Sequence, residues 1–222
     1  MMQGDLGRRL LAETLGAALL SGAVIGSGVM ASLLSGGNDG VALLANTLAT
    51  AAMLYVLVAA LGSVSGAHFN PAVTLAMALR REISAGAALL YVPAQIAGCV
   101  AGAALAHTMY ELPLLSPATT ARAGGAQILS EGAATFALVL AIIGVRRWRA
   151  AALPGAVALV IAAGYWWTAS TSFANPALTI ARALSDTFAG VRPADAPGFI
   201  AGQFVGALAA AAMAALLFRR AD

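Results

Sequence analysis

Two Asn-Pro-Ala triplets, Asn70-Pro71-Ala72 and Asn175-Pro176-Ala177, stand inside long apolar stretches. Asparagine is a preferred helix N-cap and proline a preferred first helical residue, so each triplet is expected to start a helix. The side-chain amide of such an asparagine keeps hydrogens to donate. Two acids, Glu13 and Glu131, also lie among apolar residues, where an ionisable group either relays protons or binds donors that have no other partner. Their matched placement favours support of unpaired N–H groups. His107, with Glu111 close by, reads as an outer-surface residue rather than a metal ligand. Cys99, the one cysteine, excludes an intramolecular disulfide or a cysteine metal cluster and reads as a small packed residue. Ser and His occur, but no spacing gathers a nucleophile with a base, so no enzyme is expected. No metal site is expected either.

The chain that positions these groups is 61% hydrophobic and 9% charged over 222 residues, with a mean hydropathy of +0.88, the composition of a protein dissolved in lipid. All twelve basic residues are Arg, and they cluster between apolar runs, where loop charge sets topology, so nucleic acid is not an expected partner despite a pI near 9.6. About 20 apolar residues cross a bilayer. The intervals 10–34, 83–108, 123–145 and 197–218 fit single spans. Arg8 and Arg9 ahead of the first resemble a signal peptide, but the apolar stretch is too long, which predicts an uncleaved span. The 40-residue run 40–79 and the 32-residue run 150–181 hold more than one crossing and less than two, and each carries a triplet. The surplus must enter the membrane without crossing it, and non-helical backbone survives there only when buried in protein or lining a wet cavity.

Glu13 and Glu131, the two triplets, and Gln95 with Gly98 against Gln203 with Gly206 recur in the same order at offsets of 118, 105 and 108. Three spans per half turn the second copy upside down and place a site at the midplane. The expected fold is an all-α membrane protein of six transmembrane helices plus two re-entrant half-helices in an inverted repeat. It is one channel domain over 1–222, with repeats at 1–120 and 121–222. The half-helices from Ala72 to Leu79 and from Ala177 to Leu184 are about two turns, roughly 12 Å each. Starting back to back, they would converge their positive dipole ends, which repels cations and favours neutral, oxygen-bearing solutes. With both termini on one side, Arg8, Arg9, Arg80, Arg81, Arg146, Arg147, Arg149, Arg219 and Arg220 face Arg122, Arg182 and Arg192, nine against three, which predicts cytoplasmic termini. Tyr165, Trp166 and Trp167 fit an interfacial aromatic belt or helix packing better than a ligand-stacking cluster. Small-residue spacings such as Gly98-xxx-Gly102 and Gly202-xxx-Gly206 fit close helix crossings.

The boxes SGAHFNPAVT and FANPALT, with the matched glutamates, resemble the aquaporin and aquaglyceroporin (major intrinsic protein) family over essentially the whole chain. The resemblance implies the aquaporin fold, a homotetramer in membrane lipid with one pore per subunit, and passive transport without a cofactor. It makes Asn70 and Asn175, with Pro71, Ala72, Pro176 and Ala177, the pore midplane, Glu13 and Glu131 the support of the re-entrant loops, and His68 a residue of the cytoplasmic vestibule. Family members usually carry Arg after the second triplet, where this chain has Leu178. At the family's spacing the other outer-constriction positions are Thr50, Ala163 (or Gly164) and Ser172, none aromatic or charged, which predicts a wider and less polar constriction. Arg182, one turn beyond Leu178, would either charge the outer vestibule or cap the half-helix beside Asp186. The stretch NPALTIARALSDTFAG is similar to the aquaglyceroporin-like channels of bacterial arsenic-resistance operons, which also lack the Arg. That likeness implies a bacterial inner membrane and the small neutral solutes water, glycerol and arsenite, As(OH)3. A coupled secondary transporter and a water-selective channel are the alternative readings.

Overall fold

The computed structural model describes residues 5–218. Six helices among these are long and apolar enough to span a membrane, and two shorter ones lie between them. The long helices are α1 (Leu6–Leu34), α2 (Asp39–Ser65), α4 (Ala85–Met109), α5 (Gly125–Trp148), α6 (Leu153–Trp167, entered through a 3-10 turn at Ala150–Ala152) and α8 (Ala196–Leu217). The short ones are α3 (Pro71–Leu79) and α7 (Pro176–Ala183). Six spans and two half-helices are the architecture expected from the charge-free intervals. Arg219 and Arg220, two of the nine arginines assigned to one side, lie outside the described residues.

Local chemistry fixes the helix ends. Asp5, Asn38 and Ser84 cap α1, α2 and α4 by accepting from Arg8 N, Val41 N and Ala87 N. At the end of α2, Gly66 adopts φ +91°, a left-handed turn that releases the chain into the re-entrant segment 66–70. Close packing follows from small residues. A Cβ at Gly98 or Gly102 would collide with the α1 backbone at Thr14 or Ala18, and one at Gly202 or Gly206 with the α5 backbone at Ile128 or Gly132. Helix α4 therefore seats on α1 and α8 on α5, the same contact in each half.

The start of α1, the 80–84 turn and the end of α5 share one face, where Arg146 of α5 pairs with Glu82 at 3.0 Å. We call this the terminal face. On the opposite face the segment 110–124 crosses over the segment after α7, with Ser116 N donating to Leu184 O at 2.9 Å and Ala118 N to Ala183 O at 3.0 Å. His107 anchors this crossing and is buried rather than on the outer surface. Its Nδ1 meets Pro113 O at 2.5 Å and its Nε2 meets Ser185 Oγ at 2.8 Å. Cys99 is buried, as expected of a packed residue.

Candidate conduction pathway

Each half-helix starts as its triplet dictates. Asn70 Oδ1 accepts from Ala72 N at 2.8 Å and Val73 N at 3.4 Å; Asn175 Oδ1 accepts from Ala177 N at 3.0 Å and Leu178 N at 3.3 Å. Proline follows at the first helical position in both. The side-chain amides then tie the two starts together. Asn70 Nδ2 donates to Ala174 O at 2.7 Å, and Asn175 Nδ2 donates to Phe69 O at 2.8 Å. Each amide has two hydrogens, so one is spent on the opposite loop and one remains.

The non-helical segments ahead of the triplets carry non-glycine residues at positive φ, Ala67 and Phe69 near +50° in one and Ser172 and Ala174 near +50° in the other. Each such residue costs roughly 1 kcal/mol. The glutamates hold these segments in place. Glu13 accepts from Ser65 Oγ (2.6 Å), His68 N (3.0 Å), Phe69 N (2.7 Å) and Gln95 Nε2 (2.7 Å). Glu131 accepts from Ser170 Oγ (2.5 Å), Phe173 N (2.9 Å), Ala174 N (2.8 Å) and Gln203 Nε2 (2.6 Å). Charge-assisted bonds contribute about 1.5–3 kcal/mol each, which outweighs the backbone strain. Both acids are fully buried, and Gln95 and Gln203 reach on to Thr74 and Thr179, so every link in one half has its counterpart in the other.

A lumen runs past both asparagines. Toward the terminal face it is walled by His68, Val73, Met77, Arg146 and Val157, and toward the opposite face by Thr50, Ile161, Tyr165, Ser172 and Leu178. Leu20, Leu54, Val58, Leu138 and Ile142 complete one apolar side, and the re-entrant residues 66–68 and 172–174 complete the other. His68 sits edge-on to Tyr91 at 5.5 Å with Nδ1 at 3.0 Å from Thr74 Oγ1. The buried hydroxyl of Ser172 has no hydrogen-bond partner among the described residues.

Of the four expected constriction residues, Thr50, Ser172 and Leu178 line this lumen and Ala163 does not. Ala163 is exposed on the outer surface of the bundle, and Gly164 packs against the Ser172 side chain. The inward face of α6 is instead Val157, Ile161 and Tyr165, spaced i, i+4 and i+8. Tyr165 therefore belongs to the lumen and not to an aromatic belt, while Trp166 and Trp167 are 54% and 57% exposed. Its hydroxyl lies 3.2 Å from Thr50 Oγ1, so the wall at this level holds an aromatic ring and a polar pair. The stripe of α6 residues was the signal available in the sequence; linear counting from Leu178 missed it because the backbone between α6 and α7 is not helical.

Arg182 stands neither in the lumen wall nor beside Asp186. It is 2% exposed and does not line the lumen; Nε donates to Ala189 O, and its guanidinium carbon sits 3.2 Å from the centroid of the Phe173 ring. Asp186 does not pair with it. That carboxylate accepts from Thr119 N and Thr119 Oγ1, both at 2.9 Å, which holds it below its ordinary range. The burial of Arg182 follows from the turn 185–191 folding back over the end of α7, with Val191 N donating to Arg182 O.

Comparison with known proteins gives concordant results. The family model Major intrinsic protein matches residues 2–161. The chain is 51% identical to aquaglyceroporin AqpS of Rhizobium meliloti (strain 1021) over 213 residues, 96% of this chain and 91% of that protein. Identity to Aquaporin-2 of Homo sapiens is 42% over 113 residues, 47% of this chain and 41% of that one. The X-ray structure of the aquaglyceroporin from Plasmodium falciparum matches with a TM-score of 0.73, covering 96% of this chain and 97% of that one; at 20% identity this likeness concerns the fold.

Proposed function

The chain belongs to the major intrinsic protein family of membrane channels, and from that premise we propose that it is a passive pore for water, glycerol and arsenite, As(OH)3. It is an integral membrane channel and not an enzyme. The observation that carries the solute reading is the lumen at the two asparagines. One wall is apolar side chains, the other is re-entrant backbone, and one free amide hydrogen on each asparagine meets a solute oxygen between two helix N-termini. Such a wall suits a molecule with hydroxyls on one side and little charge.

At the opposite face the constriction is Thr50, Tyr165, Ser172 and Leu178, with no arginine in the wall. Leu178 leaves the lumen open where an arginine would reach across it, and Thr50, Tyr165 and Ser172 offer hydroxyls to a polyol. Arsenite presents three hydroxyls and no charge, which fits the same wall; the relative's aquaglyceroporin name supports glycerol. Glu13 and Glu131 act as loop supports. Each spends its oxygens on four donors, which leaves no role as a proton relay and speaks against a coupled transporter.

The remaining assignments complete the proposal. His68 lies in the vestibule of the terminal face, which faces the cytoplasm of a bacterial inner membrane because seven of the described arginines collect there. The repeats divide near 120, and four chains assemble with one pore each. The test of passive conduction is solute uptake into proteoliposomes under an imposed pH gradient. Glycerol and arsenite should equilibrate to the external concentration at a rate proportional to it; accumulation driven by the proton gradient would replace the channel with a transporter.

A further inference from the structure

With Leu178 in place of an arginine, the wall of the opposite-face mouth carries no charge, yet two guanidiniums lie directly behind it. Arg182 is fully buried against Phe173, a residue of the lumen wall, and Arg122 from the segment 110–124 approaches the same ring, its guanidinium carbon 5.4 Å from the centroid. Their hydrogen bonds run to neutral oxygens. Arg182 Nε donates to Ala189 O and Arg122 Nε to Gly190 O, and Arg182 Nη1 is buried with no partner among the described residues. No described carboxylate forms an ion pair with either guanidinium. The nearby acids are committed elsewhere. Glu131 bonds to the re-entrant loop and offsets part of the charge of both guanidiniums through space, Asp186 bonds to Thr119, and Asp195 to the Arg192 side chain and the Arg122 backbone N–H.

We propose that Arg182, with Arg122 as its weaker companion, is a specificity-determining pair that excludes cations from the mouth while staying out of the lumen. An arginine stays protonated in a protein, and two guanidiniums set against one carboxylate, Glu131, leave a net positive charge whose field reaches through low-dielectric surroundings into the adjoining lumen. A cation at the level of Phe173 is repelled before it reaches the converging ends of α3 and α7. A neutral solute meets the open wall of Thr50, Tyr165, Ser172 and Leu178 and is not slowed. The device separates two properties that an arginine in the wall would combine: the charge is kept and the width is not reduced. In the other half the residue at the matching distance from its triplet is Met77, and the arginine that reaches it, Arg146, is ion-paired to Glu82, so the terminal face lacks an equivalent unpaired charge behind its wall.

The inference rests on the lumen being the conduction path, and the test separates the two ideas by following glycerol and potassium in the same proteoliposomes. In Arg182→Gln, potassium conductance should rise about tenfold over wild type while glycerol permeability stays within about twofold, the size expected for one partly offset charge near the path. Arg182→Lys keeps the charge and should keep the barrier. Unchanged potassium conductance in Arg182→Gln with glycerol flux retained would overturn the proposal, as would a leak in Arg182→Lys equal to that of the glutamine variant. If Arg182→Gln does not fold, Arg122→Gln, on a half-exposed loop, decides the matter: about a threefold rise supports the pair, and no rise refutes it. Wild type that conducts no glycerol would refute the solute reading, and the potassium comparison would still stand on its own.

Discussion

The two re-entrant segments are built on one scaffold and finished with different surfaces. Glu13 and Glu131, Ser65 and Ser170, Asn70 and Asn175, Thr74 and Thr179, and Gln95 and Gln203 make the same hydrogen bonds at nearly the same lengths. The residues two before each asparagine differ: His68 packs edge-on to Tyr91, and Phe173 packs edge-on to Phe199. Seven residues after each asparagine, Met77 faces the charge of an ion-paired Arg146, and Arg182 is itself the buried charge. The scaffold is symmetric because both halves solve one problem, the satisfaction of buried non-helical backbone. The finish is asymmetric: one half sets Met77 against an ion-paired Arg146, and the other buries Arg182 behind Phe173.

Removing either glutamate should break the comparison most severely and equally on both sides. Glu13→Ala or Glu131→Ala leaves four buried donors without an acceptor, a loss of about 3–5 kcal/mol by the standard of other broken buried charge networks. Thermal unfolding in detergent should show both variants strongly destabilised, and a large difference between them would mean that the two supports are not equivalent. Next in size, Asn70→Ala and Asn175→Ala each remove a helix cap worth about 0.5–2 kcal/mol together with a lumen donor. Glycerol flux should fall by a similar factor in both.

The asymmetric residues give smaller and one-sided effects. Tyr165→Phe removes the hydroxyl beside Thr50 and should lower glycerol permeability about threefold with water nearly unchanged, within the range for one lost hydrogen bond. Among the described residues no tyrosine lines the lumen on the terminal side, so the effect sharpens the contrast between mouths. The smallest effect concerns pH. The Arg192 side chain, then the Arg122 backbone N–H, hold the Asp195 carboxyl below its ordinary value, and Thr119 does the same for Asp186. A depressed carboxyl stabilises the fold above its unfolded pKa, about 4, and that contribution is lost as pH falls through the depressed value. Protection from hydrogen exchange at Thr119 and Arg122, taken against the intrinsic rate at each pH, should therefore fall below about pH 4, and Asp186→Asn should reproduce part of this at neutral pH.

Much of this arrangement was legible in the sequence. Charge marks the ends of membrane segments, so the runs 40–79 and 150–181 revealed their half-helices through length alone, and the repeated Glu, Asn-Pro-Ala and Gln units gave the symmetry. What stayed hidden depends on contacts between distant segments. His107 reads as a surface residue until Pro113 and Ser185 fold around it, and Arg182 reads as a mouth residue until the turn 185–191 covers it. Ala163 was assigned to the constriction in place of Tyr165 for a different reason. Spacing counted along the chain assumes regular backbone, and the positive φ values at Thr171, Ser172 and Ala174 break that regularity just before the triplet.

The most direct test of the central claim is stopped-flow light scattering on proteoliposomes, comparing water, glycerol and arsenite permeation in wild type and Leu178→Arg. Wild type should pass all three, and the arginine variant should retain water while losing at least about tenfold in glycerol and arsenite. Wild type that passes water alone, or a variant that passes glycerol as freely as wild type, would contradict the assignment of the open wall at Leu178 as the feature that sets which solutes cross.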